Sequence, residues 1–233
     1  MTTLAVTGAD AVLTGVSAKY TAVATLTDGT PSTVTAAWVS SNSAVGTIDS
    51  AGRFEGRAHG STTLTATFEG RSASKTVGVV NNYEGTWEGS YAIRACSATG
   101  DLTNHDGGWC EAGPGRIGTV QGILMTLAQS GNDLTEVTAT IGAFRDTIKG
   151  AVRPDGHLTL SGTLTVRDFY YDDIVVETVQ LGAWDTNLDG GGGMLGRWSE
   201  DFRFLRWRIG TAHTDNELIA MHRPPRMGRA SAR

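Results

Sequence analysis

Tyr20-Thr-Ala-Val-Ala-Thr-Leu-Thr-Asp28-Gly29-Thr30 sets the architecture of this chain. Side chains on a strand point alternately to its two faces. Here Tyr20, Ala22, Ala24 and Leu26 fall on one face, with Thr21, Val23, Thr25 and Thr27 opposite. Asp28-Gly29 then marks a hairpin, because Gly accepts the positive φ of a tight turn. Working outward, Thr33 to Val39 reads as a strand carrying Trp38, the expected core aromatic, and Ser50-Ala51-Gly52 reads as a turn. Leu64, Ala66 and Phe68 share a strand face, and Val77, Val79 and Val80 complete the apolar set. Short strands with turn signals every 8–12 residues predict a β-sandwich.

The stretches Trp38-Val-Ser40-Ser41-Asn42-Ser-Ala-Val45-Gly-Thr47-Ile48-Asp49 and Gly60-Ser-Thr-Thr-Leu64-Thr-Ala-Thr67 follow the first one in order. Together the three resemble the bacterial immunoglobulin-like domain, group 2, over residues 3 to 80. The resemblance implies a small sandwich module of exported bacterial proteins that spaces, displays or binds and is not catalytic.

Composition agrees with an all-β chain. Gly is abundant, Thr and Val recur, and charged residues make up only 18%, too few for a disordered chain. The 233 residues allow one large or two small domains. The net charge is −5, yet the tail from Arg223 to Arg233 holds four arginines and no acid, so the body is more acidic than the total indicates. An acidic body argues against nucleic acid as a partner. No apolar run is long enough for a transmembrane helix, and no signal peptide is visible at Met1-Thr2-Thr3-Leu4.

Asn81-Asn82 is the expected seam, giving a sandwich over 1–80, a second β-domain over 81–222 and a basic tail over 223–233. Beyond the seam, alternating or apolar segments are divided by Ser130-Gly131-Asn132-Asp133, Pro154-Asp155-Gly156 and Asp189-Gly190-Gly191-Gly192-Gly193. None shows helical periodicity. About eight antiparallel strands in hairpin succession predict an up-and-down barrel, which removes exposed edges. Gly89, Gly122, Gly150 and Gly162 would let such a sheet curl tightly, leaving side chains to fill its interior. Gly85-Thr86-Trp87 is similar to the opening motif of lipocalin-like barrels. That resemblance implies a late-strand Arg packed over the Trp, with Arg206 or Arg208 as candidates, and an interior able to carry a small apolar ligand.

Few residues suggest chemistry. Asp185, Asn187 and Asp189, followed by Gly190, fit the first half of a calcium loop, although Gly196 stands where a closing Glu is needed; a polar hairpin turn uses the same residues. Apart from this Ca2+ candidate no cofactor is expected. Cys96 and Cys110 read as a disulfide of an export-type protein, as two free thiols, or, with only His105 nearby, as a metal pair. His59, His105, His157, His213 and His222 show no ligand spacing. Asp168, Asp172, Asp173 and Glu177 cluster near Tyr170 and Tyr171, and Glu200 and Asp201 point to opposite faces; none makes the convergent pair a glycosidase needs. Trp184, Trp198 and Trp207 are expected mainly in the core.

The function expected is therefore non-catalytic. It is that of a periplasmic, extracellular or peripherally attached protein docking on other subunits of a larger envelope or membrane assembly, or acting in adhesion. Arg223, Arg226, Arg229 and Arg233 would touch an acidic partner face or anionic lipid head groups. The alternatives are a lipocalin-like carrier and, further off, a carbohydrate-active enzyme.

Overall fold

Gly29 turns the first hairpin with a φ of 87°, and the Thr30 amide donates to the Asp28 carboxylate at 2.9 Å. A computed structural model describes residues 1–104, 107–165, 170–171, 174–189, 191–205 and 210–224. The described chain is almost all β, with a short 3-10 turn at Gly100–Thr103. It divides between Asn82 and Tyr83 into two compact units. No helix among the described residues is long and apolar enough to cross a membrane.

The first unit contains β1 (Thr3–Thr7), β2 (Ala11–Leu13), β3 (Ser17–Lys19), β4 (Thr21–Thr25) and β5 (Pro31–Val34). It continues with β6 (Ala37–Ser40), β7 (Gly46–Ile48), β8 (Arg53–Gly56), β9 (Gly60–Phe68) and β10 (Arg71–Val80). Three small sheets form, in the orders β1-β4-β5, β2-β10-β9-β6 and β3-β8-β7. All pairings are antiparallel except β2 with β10. The turn into β8 needs Gly52: its φ is 77°, and a Cβ there would lie 2.5 Å from the Tyr20 carbonyl oxygen.

All three sheets contribute to the core. Tyr20, Phe54, Leu64, Val77 and Val79 are buried, and the Tyr20 and Phe54 rings meet edge to face at 5.9 Å. The Tyr20 hydroxyl donates to the Ala9 carbonyl at 2.7 Å, and burial, with Asp10 adding to it, pushes its pKa up to about 12. The alternation read from Tyr20 onward holds through Ala24, but Leu26 is exposed at the hairpin. Trp38 differs from expectation. It is only half-buried, packing on the edge of the apolar clusters, and Tyr20 and Phe54 take the central place instead. The reason is β6, which sits at the edge of its sheet.

The second unit is a closed barrel of eight antiparallel strands. These are β11 (Gly85–Ala98), β12 (Val120–Ser130), β13 (Asp133–Ile141), β14 (Phe144–Val152), β15 (Leu158–Thr165), β17 (Ile174–Leu188), β18 (Met194–Leu205) and β19 (Thr211–His222). A two-residue strand, β16 (Tyr170–Tyr171), pairs with the start of β17. Each barrel strand neighbours the next in the chain, β15 pairs with β17, and β19 returns to β11. At one end Trp87, Met125, Leu127, Leu158, Met194 and Met221 fill the interior. Gly89 lets β11 close on β19, since a Cβ there would fall 2.0 Å from the Ala220 carbonyl oxygen. Gly162, at a φ of 150°, is pressed on Ile148 in the same way, whereas Gly122 faces open space.

Candidate functional site

The site is built on β18, where Trp198, Glu200, Phe202 and Phe204 fall at alternate positions and are all buried. Strand periodicity thus places one carboxyl between aromatic rings inside the barrel. Asp201 and Arg203, between them, are exposed. An eight-stranded barrel is just wide enough to be filled by side chains or to hold one small ligand. Here it does both. Opposite the filled end lies a cavity of about 200 Å³.

Four rings line it: Tyr91 of β11, Trp109, Phe144 at the start of β14, and Phe202. Its polar lining comes from Glu200 and Gln121. Trp109 packs on Phe202 and Phe204, with ring centroids 5.3 Å and 5.0 Å away, and Phe144 meets Phe202 at 5.8 Å. Trp198 stacks on Trp184 at 4.6 Å and meets Tyr91 at 4.8 Å. A register shift between Gly182 and Asp185 of β17 turns Trp184 and Thr186 inward to meet them.

Trp109 and Pro114 come from the connection 99–119 between β11 and β12, which walls this end. Cys96 and Cys110 are joined in a disulfide that ties this connection to β11. Leu102 and Trp109 are buried. Gly115 packs against the indole so closely that a Cβ would lie 2.5 Å from Trp109 Nε1 and 2.8 Å from Cys96 Sγ.

Glu200 is the only buried acid among the described residues, at 2% exposure. The Trp198 indole N–H donates to Oε1 at 3.2 Å and the Thr214 hydroxyl to Oε2 at 3.4 Å. Burial raises its pKa to about 7, against the pull of the Trp198 and Thr214 bonds toward the charged form. The neighbouring Asn216 amide pulls the same way, although neither of its polar atoms meets a partner in hydrogen-bond geometry. Tyr91 donates to Gln121 Oε1 at 3.1 Å, and burial, with Glu200 nearby, raises its pKa far above the ordinary phenol value.

The calcium candidates do not converge. The exposed Asp185 carboxylate takes hydrogen bonds from Arg153 at 3.0 Å and His157 at 2.6 Å. Asn187 Oδ1 accepts from the Tyr83 hydroxyl at 3.3 Å and the Leu188 amide at 2.8 Å. Asp189 caps the β17–β18 turn, accepting from the Gly191 and Gly193 amides at 2.8 Å and 2.7 Å. These are the bonds of a polar hairpin end. No group of three or more Asp, Glu, His or Cys able to hold a metal occurs among the described residues.

Arg223 does not belong to a free tail. Its guanidinium lies over the Trp87 ring, 4.6 Å from the centroid, and the Trp87 indole donates to the Tyr83 carbonyl at 2.7 Å. Arg206 and Arg208, the sequence candidates for that place, lie outside the described residues, as do His105, Asp168, Asp172, Asp173, Gly190, Trp207, Arg226, Arg229 and Arg233 and the side chain of Glu177. Trp184 and Trp198 are core residues, as expected.

In the sequence Glu200 and Asp201 point to opposite faces of their strand and make no carboxylate pair, so Glu200 did not stand out as a site residue. The available signal was the spacing Trp198-x-Glu200-x-Phe202-x-Phe204, which puts a carboxyl on an otherwise aromatic face. No protein-family model matches this chain, and no curated protein matches it in sequence.

Proposed function

We propose that the chain is an exported, non-catalytic binding protein whose barrel takes a small ligand into the cavity beside Glu200. The carrying observation is the cavity itself: four aromatic rings and two polar side chains at one end of a barrel whose other end is filled by buried side chains. Small-molecule sites have this composition, mostly apolar with a few placed polar groups. Pockets for drug-sized ligands commonly run from about 300 Å³ upward; at about 200 Å³ the space suits a ligand smaller than a typical lipid or pigment.

Other features favour the same reading. A closed barrel fits the lipocalin-like resemblance, and Arg223, just past the end of β19, covers Trp87 where that resemblance implies an Arg of the last strand. The disulfide suits an oxidising, non-cytoplasmic compartment. The first unit, taken as a bacterial Ig-like domain of group 2, would space or display the barrel. A lone buried carboxyl, whose neighbour Asp201 bonds His213 on the outer face at 2.6 Å, does not supply the pair that glycoside hydrolysis uses. Docking on an envelope assembly is the second reading, favoured by exposed Ile117, Val120 and Leu124 at 59%, 58% and 44%.

Native mass spectrometry of the protein purified gently from its own host tests the proposal, with Ala143→Trp, at the cavity wall, as the filled control. A small molecule at close to one per chain, lost in Ala143→Trp, is expected. Equal retention by both proteins would place any bound molecule elsewhere.

A further inference from the structure

The geometry points to a small organic cation, an alkylammonium, as the ligand, held against the rings of Tyr91, Trp109, Phe144 and Phe202 with Glu200 as its counter-ion. This rests on the cavity being a ligand site, and it names the chemistry of that ligand.

The faces of aromatic rings are electron-rich and attract cations, most strongly when both are removed from water. Four rings line the cavity, and each that turns a face to it favours positive charge over a neutral group of equal shape. The carboxylate strengthens that selectivity. No basic side chain is among the described residues lining the cavity, so nothing in the wall neutralises Glu200 when it ionises. The Trp198 and Thr214 donors take one bond at each oxygen. An ionised carboxylate offers about four lone-pair sites, so capacity remains for an ammonium. An anion would face both the carboxylate and the ring faces. A sugar would find only Glu200, Gln121 and the Tyr91 hydroxyl for its many hydroxyls. Size agrees: at about 30 Å³ of liquid volume per water, the space equals roughly six or seven waters, the scale of a compact alkylammonium.

Binding should be linked to protons. Burial holds Glu200 near pH 7 in its titration, and only the ionised form attracts a cation. Tyr91 of β11 is the one other titratable group facing it among the described residues, and burial keeps that phenol neutral. The charged groups Asp201 and His213 bond each other on the outer face. Affinity for a cation therefore rises as pH increases through about 7.

Calorimetric titration of the full chain with choline and with its neutral carbon analogue, 3,3-dimethylbutan-1-ol, tests the inference. Choline is expected to bind about tenfold or more tightly than the alcohol at pH 8, with the preference shrinking at pH 6. Glu200→Gln is expected to remove the preference for choline over the alcohol. Should that variant fail to fold, Phe144→Leu, which stays apolar but removes an aromatic ring, is expected to weaken choline more than the alcohol. Equal or tighter binding of the alcohol, or unchanged choline affinity in Glu200→Gln, overturns the cation inference and leaves the cavity a ligand site. Absence of binding by either probe overturns the ligand-site reading and the cation inference with it.

Discussion

Glu200 is costly to keep charged where it stands, and this has a measurable consequence. Its carboxyl is raised from 4.5 to about 7 by burial in the barrel. In the folded chain it holds its proton to higher pH than in the unfolded chain. The stability this contributes is complete below about pH 4.5 and is lost as pH rises through about 7. The loss amounts to about 3 kcal/mol by the conversion of pKa difference into free energy. Denaturant unfolding of wild type and Glu200→Gln between pH 4 and 8 isolates it: the difference should grow with pH, the Gln variant being relatively more stable at pH 8. A difference independent of pH would mean that the carboxyl is not desolvated. In the first unit, Phe54→Ala should cost about 3–5 kcal/mol, because Phe54 is wholly buried. Trp38→Ala should cost clearly less, since that residue is already partly exposed. Chemical denaturation of the two variants distinguishes the core aromatic from the edge aromatic.

Among elements, the connection 99–119 is the one on which the cavity depends. It has little regular structure of its own, and what fixes it is covalent and steric: the Cys96–Cys110 bridge and the wedge of Gly115 against Trp109. Replacing both cysteines by Ser should destabilise the second unit by roughly 3 kcal/mol, the cost of freeing a loop of this size, and should speed ligand release. Gly115→Val should displace Trp109 and press on the Cys96 sulfur, seen as a red-shifted tryptophan emission and weakened binding. If Gly115→Val leaves both unchanged, the indole does not form the wall. The sequence showed much at this scale. Period-two alternation located the strands, and Asp-Gly and Gly-rich punctuation located the hairpins, because both follow from local backbone geometry. The cavity was not legible. It draws on Tyr91, Trp109, Phe144 and Phe202 from four separate segments, and only barrel closure brings them together. Arg223 was read as tail for a related reason: its partner, Trp87, lies far away in the chain and is reached only when β19 pairs with β11.

For the molecule as a whole, the division at Asn82 and Tyr83 makes each unit self-sufficient in its core. A chain ending after Asn82 should unfold in one cooperative transition, and a broad, featureless melt would show that the first unit needs the second. The barrel has a packed end and an aromatic end, and this asymmetry is the physical ground for assigning it a ligand. The most direct measurement is anomalous diffraction from crystals of the full chain soaked with tetramethylarsonium, an electron-dense tetraalkyl cation, at a concentration that saturates binding in solution. A peak between the Tyr91, Trp109, Phe144 and Phe202 rings, beside the Glu200 carboxylate, is the expected result. A saturating cation whose peak lies anywhere else, with the cavity empty of it, would contradict the assignment of this barrel end as the binding site.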